Sequence, residues 1–146
     1  MFVEQLLSKA RERLITIADD AALIQAAGLL CSGSDLVIVC NSAGFLAGVI
    51  TKTDIVSQIS HCQGAGCITA AALVMKSEVV LCRPTDSLRD VWARMKERGL
   101  KNVPVVDRES RPLGLLNARD ILQGLLNESE DEETLLRDYV MGLGYH

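Results

Sequence analysis

Apolar positions fall along this chain in short solid blocks and in helical rows, and the two kinds alternate. Leu36-Val37-Ile38-Val39-Cys40 is apolar throughout, as is Leu46-Ala47-Gly48-Val49-Ile50, and between them stands the turn-forming run Asn41-Ser42-Ala43-Gly44. Two solid blocks around such a run predict a hairpin of buried strands. Ahead of it, Ala22, Ala26 and Leu29 share one face of a helix predicted from about residue 21 to 31, and their small size suggests close packing. Asp19 or Asp20 is placed to cap that helix and Gly33 to end it. Leu14-Ile15-Thr16-Ile17 is short, extended and rich in β-branched residues, which predicts a strand. Phe2, Val3, Leu6 and Leu7 have helical spacing, and Arg11-Glu12-Arg13 is a polar break behind them. After the hairpin a further helix is expected from Asp54 to about Ile59.

The same unit then returns. Gly48-Val49-Ile50-Thr51-Lys52-Thr53-Asp54 is answered sixty-six residues later by Gly114-Leu115-Leu116-Asn117-Ala118-Arg119-Asp120. At that offset Asp20 answers Asp86, Ala27 answers Ala93, Gly33 answers Gly99, and Val37 and Val39 answer Val103 and Val105. In the second copy Pro84 and Ser87 mark the helix start, Leu88, Val91, Trp92 and Met95 form its apolar face, and Asp107-Arg108-Glu109-Ser110 is the turn. The helices of one unit cover one face of its sheet, so a lone unit leaves the other face bare, and two units bury those faces on each other. The expected fold is therefore α+β (α/β): two tandem β-α-β-β-α units packed sheet to sheet with pseudo-two-fold symmetry, plus a C-terminal helix. The units are expected at residues 1–62 and 63–126, joined through the charge-free stretch 60–69 with its Gly64 and Gly66. Residues 127–146 are expected to hold an acidic linker and a helix with Leu135, Leu136, Tyr139, Val140 and Leu143 on one stripe, which closes over the core or meets a second subunit. Clefts between the halves are where a ligand fits.

Composition narrows the function. With 49% hydrophobic residues but only 3% aromatic, the core must be built from Leu, Val, Ile and Ala. No apolar run approaches the roughly 20 residues of a membrane span, and Met1-Phe2-Val3-Glu4-Gln5 has no basic leader, so a soluble cytoplasmic protein is expected. A net charge of −4 argues against nucleic acid as main partner. The five cysteines have no C-x-x-C spacing, and Cys62 and Cys67 with His61 make too few ligands for a metal. No nucleophile–base spacing is visible, so no enzyme is expected.

The repeated polar device carries the candidate chemistry. A carboxylate accepts from both hydroxyls of a diol, and hydroxyls and N–H groups at a helix start bind phosphate with help from the helix dipole. Asp54 and Asp120 equally suit a purely structural place in a helix's first turn, and Gly48 and Gly114 suit backbone geometry rather than ligand contact.

The two Gly-φ-φ-[Thr/Asn]-x-x-Asp segments, together with Lys101-Asn102-Val103-Pro104-Val105-Val106-Asp107, Val74–Val80 and Pro84-Thr85-Asp86-Ser87-Leu88, resemble a tandem pair of CBS domains, a Bateman module, over residues 2–126. With no catalytic domain attached, the chain is similar to the stand-alone bacterial CBS-pair proteins. The resemblance implies a sensor that binds an adenosyl ligand (AMP, ADP, ATP, NAD or S-adenosylmethionine) between the halves, requires no cofactor, and forms a homodimer through its helices. By the same resemblance, one site uses Thr51, Thr53 and Asp54, with Thr16 and Ile17 beside the base. The other uses Asn117, Arg119 and Asp120, with Lys101 and Asn102 facing phosphate and with Val103 and Pro104, next in the strand, also among the ligand-binding residues. Asn117 replaces the family's Thr or Ser, Cys82 stands where the first copy has Thr16, and Asp35 stands where the second has Lys101. A ligand-free dimerisation or partner-docking scaffold is the alternative.

Overall fold

The computed structural model describes residues 1–61 and 70–142, with the side chains of the last helix through Glu130. A 3₁₀ turn (Val3–Leu6) leads into α1 (Leu7–Glu12), followed by β1 (Thr16–Ala18), α2 (Leu23–Cys31), β2 (Leu36–Cys40), β3 (Leu46–Thr51) and α3 (Lys52–His61). The second half has a 3₁₀ turn (Ala71–Leu73), α4 (Leu88–Arg98), β4 (Asn102–Val106), β5 (Pro112–Asn117) and α5 (Ala118–Gly142). The expected linker residues Cys62, Gly64, Gly66 and Cys67 lie outside the described residues, as do the boundary at 62/63 and the side chains of the C-terminal stripe. The acidic run is not a break: α5 passes through it as one helix of 25 residues.

Both hairpins are antiparallel and each carries a register shift before its turn. Asn41 and Asp107 build those turns alike. The Asn41 Oδ1 accepts the N–H groups of Ala43 and Phe45, and the Asp107 Oδ1 accepts those of Glu109 and Arg111. Gly44 and Ser110, sixty-six residues apart, both close the turn with positive φ.

The solid apolar block 36–39 is explained by its two faces. Successive strand residues point to opposite sides. Val37 and Val39 join Leu23, Ala26, Leu30 and Ile50 in the core under the helices of the first unit. Leu36 and Ile38 turn the other way, where with Val49 they meet Leu115 of the second hairpin. The sheets thus pack face to face, and the Leu46 N–H donates to the Ser110 carbonyl at 2.8 Å across the junction.

Sequence order and packing order differ at the starts of the units. Val3, Leu6 and Ala10 are buried with Leu88, Val91, Met95, Val103 and Leu116, so the first segment of the chain completes the second unit's core. Reciprocally, Ala71, Val74 and Met75 pack on the first unit's core. The two arms cross, and each ends over a glycine. Ala10 lies on Gly114, and its counterpart Lys76 lies with Met75 on Gly48. Neither glycine has positive φ, so these positions serve a close approach and not a special turn.

Two local expectations are corrected. Asp19 and Asp20 do not cap α2, whose N-cap is Ala22 with no side-chain bond. Asp19 is instead committed through its backbone, donating to the Cys40 carbonyl and accepting from Ala72. The second unit also lacks a full counterpart of β1. A single bridge from Cys82 to Val105 remains. In the first unit the Ile38 N–H donates to the Ile15 carbonyl at 2.9 Å. Their counterparts are Pro104 and Leu81, and proline has no N–H to give. The freed Leu81 carbonyl accepts Arg94 Nη1 at 3.2 Å, so the missing ladder bond is replaced by a side chain.

Candidate ligand-binding site

The Thr51–Asp54 device closes on itself. The Asp54 Oδ2 accepts the Thr51 N–H at 2.9 Å and the Thr51 hydroxyl at 3.1 Å, and Thr51 Oγ1 accepts the Asp54 N–H at 3.4 Å. That is the reciprocal capping box at the start of α3. Asp54 Oδ1 faces outward to Lys76 Nζ at 3.3 Å, a cation on the crossing arm.

The second copy solves the same problem differently. Asn117 caps α5 through its Oδ1, which accepts the Arg119 N–H at 2.9 Å, while its amide donates to Asn102 Oδ1 at 3.2 Å. Asp120 turns to Arg13 instead. The guanidinium grips both oxygens, Nε to Oδ2 at 2.7 Å and Nη2 to Oδ1 at 3.3 Å. This forked pair fixes orientation better than a point charge does. The Asp120 hydrogen bond holds Arg13 above its ordinary pKa, with Asp35 and Glu12 adding to the effect against partial burial. So each motif aspartate is met by a cation from the arm that crosses from the other end of the fold.

Two clefts open beside these devices. The larger, about 460 Å³, brings Thr51, Lys52 and Thr53 at the start of α3 opposite Lys101 and Asn102, with Asp35 and Leu36 beside them. It lies inside the size range of small-molecule sites, about 300–1,000 Å³. Among the described residues neither Lys52 nor Lys101 is held in an ion pair, so both amines face the opening uncommitted. The smaller cleft, about 240 Å³, lies between Arg13, Ile15 and Leu115 and the segment Ser32–Asp35, with Asn102 at its edge. A neighbouring hollow of about 420 Å³ is walled by Lys9, Glu12, Arg13 and Asp120.

These clefts regroup the residues singled out from the sequence. Asn102 stays beside Asn117, its register partner, as expected, and with Lys101 it also borders the cleft that Thr51 and Thr53 line from the other unit. Ile17 packs on the first unit's core and Thr16 is exposed on β1; neither lines a cleft described above. Val103 and Pro104 are buried in β4 and Arg119 is exposed at the start of α5. Lys52 stood in plain view inside the motif, since a cation between two threonines at a helix start suits phosphate. Arg13 and Lys76 had no such signal, because their partners lie 107 residues on and 22 residues back. Cys82 is no reactive thiol: burial first, then Asp86, pushes its pKa up to about 12. Among the described residues no group of side chains suits a metal ion, and no helix is long and apolar enough to cross a membrane.

Comparison with known proteins agrees with this architecture. The CBS domain family model matches residues 70–127. The chain is 27% identical over 95 residues to an uncharacterised protein of Methanocaldococcus jannaschii, covering 65% of this chain and 22% of the relative, so it spans about a fifth of that relative's length. Among solved structures, a CBS-domain containing protein from Agrobacterium tumefaciens superposes with a TM-score of 0.71 at 24% identity, over 84% of this chain and 91% of that one. The CBS domain pair of protein MJ0100, in complex with 5′-methylthioadenosine and S-adenosyl-L-methionine, gives 0.72 at 22% identity over 88% and 98%. The CBS domains of a transcriptional regulator from Streptococcus pneumoniae give 0.71 at 21% over 84% and 98%. Residues 70–127 thus match the CBS domain family, and the chain as a whole shares its fold with solved CBS-domain proteins.

Proposed function

We propose that this CBS-domain pair is a regulatory module, not an enzyme, that binds an adenosyl ligand (AMP, ADP, ATP, NAD or S-adenosylmethionine) in the clefts between its units. One observation carries the reading. Two hydroxyls, two unpaired lysines and the start of α3 converge on one cleft of about 460 Å³, from elements of both units. Helix-start N–H groups and cations together suit a phosphate, and the fold-mate MJ0100 holds adenosyl compounds. A ligand there touches both halves at once, which is what a sensor needs to transmit occupancy.

A thermal-shift panel of AMP, ADP, ATP, NAD and S-adenosylmethionine tests it. At about 100 times its dissociation constant, a single-site ligand raises stability by about 2.7 kcal/mol, an upward melting shift of several degrees. No shift with any of the five sinks the ligand reading.

The scaffold reading has its own support. Both motif aspartates are engaged within the chain, and Ile24, Val56 and Ile59 stand exposed together on α2 and α3, as Leu122 and Leu126 do on α5. We propose that these helix faces pair two copies of the chain. Light scattering at micromolar concentration is then expected to give twice the 15.8 kDa chain mass, and Val56→Glu with Leu122→Glu is expected to return it to one. A monomeric parent protein defeats the dimer.

A further inference from the structure

The two clefts are related in part by the internal repeat, since Gly33, Ser34 and Asp35 of the smaller answer Gly99, Leu100 and Lys101 of the larger, yet they carry opposite electrostatics. In the larger one Lys52 and Lys101 outweigh the lone carboxylate of Asp35. In the smaller one Glu12 and Asp35 surround Arg13, and the guanidinium charge is already met by the fork to Asp120. The difference traces to single positions: Asp35 in the first copy answers Lys101 in the second, and Asn117, which caps α5 by itself, leaves Asp120 free to seize Arg13. Glu12 and Arg13 also form the wall shared by the small cleft and the neighbouring hollow. While Arg13 is pinned the space stays divided, and the 240 Å³ compartment has little room for a polyphosphate.

Resting on the adenosyl reading above, we infer that the clefts sort ligands by charge: the Lys52–Lys101 cleft takes a phosphate-bearing nucleotide, and the Arg13 cleft takes a phosphate-free nucleoside. A phosphate entering the second cleft meets two carboxylates with no uncommitted cation, and like charges in a partly desolvated site repel. An uncharged nucleoside meets no such penalty. It finds apolar contact on Ile15 and Leu115 and polar partners on Ser32, Ser34 and Asn102. Asp35 and Asn102 border both clefts, so each occupant is felt at the edge of the other.

Isothermal titration of the full chain with ATP and with adenosine, singly and each in the presence of the other, tests this. Both probes are expected to bind, without competing. Lys101→Glu is expected to weaken ATP at least tenfold and leave adenosine within twofold. Ser34→Tyr, which fills the small cleft, is expected to do the reverse, with Ser32→Tyr as a second filling variant if the first does not fold. Competition between the probes, or loss of both in either folded variant, overturns the sorting while leaving the adenosyl reading intact. Failure of every adenosyl probe to bind the parent protein removes that reading, and the sorting falls with it.

Discussion

Gly114→Ala is expected to be among the most damaging single-methyl additions to this protein, lowering its stability by about 3 kcal/mol, the upper end of the range for overpacking. A methyl at that position stands 2.7 Å from both the carbonyl carbon and the Cβ of Ala10, and 2.9 Å from its carbonyl oxygen. Two of the three obstacles are backbone, which no rotamer change moves aside. Ala10 is buried with Val3 and Leu6 in the second unit's core, so relief means lifting the arm. Arg13 rides three residues behind it, and its fork to Asp120 loosens with the arm. Gly48→Ala is expected to behave alike, since its methyl meets the Lys76 carbonyl at 2.6 Å as well as the more yielding Met75 side chain. Gly124→Ala is the control. Its nearest neighbours, at 3.3–3.4 Å, are side-chain ends of Met1 and Leu88, and alanine favours a helix by about 0.5–1 kcal/mol over glycine. Urea unfolding of the three variants measures the contrast; a Gly114→Ala loss below about 1 kcal/mol means that the arm does not seat as described.

That pair of glycines shows what the sequence reveals and what it hides. The repeat at one offset was legible because both copies need a buried hairpin, the same turn and the same first-turn carboxylate, and those needs leave marks at fixed spacing. The placement of β2, β3 and the turn at Asn41 followed from local chemistry alone. The crossing of the arms did not. Val3, Leu6 and Ala10 announce an apolar face, but nothing in their spacing says which unit's core it fills. The shortened first strand of the second unit was readable in principle from Pro104, whose missing N–H is a local fact with a consequence 23 residues upstream at Leu81. The site was legible by residue type and not by grouping. Thr51, Thr53 and Lys101 each bear suitable chemistry, yet only the face-to-face sheets bring them to one opening. Asp54 and Asp120 look equivalent in sequence and differ in space, because one hydroxyl-for-amide exchange at residue 117 changes how the helix start is capped.

Ile38→Ala is expected to cost about 2–5 kcal/mol, the range for truncating a buried large aliphatic residue, and to be felt equally by both units. Ile38 is fully buried, on the face of β2 that meets Leu115 and not on the face that packs under its own helices. The cavity therefore opens at the junction, where two units share one set of apolar contacts. Trp92, the single tryptophan, lies in the second unit and packs on that unit's core, so its fluorescence reports a part of the molecule that does not contain the substitution. If each unit's core is completed by the other's arm, neither can melt first without exposing the surface it shares. The tryptophan transition and the far-ultraviolet circular dichroism transition are then expected to stay superimposed in Ile38→Ala and to fall together by roughly 5–15 °C, at about 2–4 °C per kcal/mol for a chain of this length. A tryptophan transition left at the parent temperature while the dichroism shifts shows that the units unfold independently. Coincident transitions make the junction, and the clefts along it, one cooperative body, and a ligand bound at either cleft then stabilises both halves.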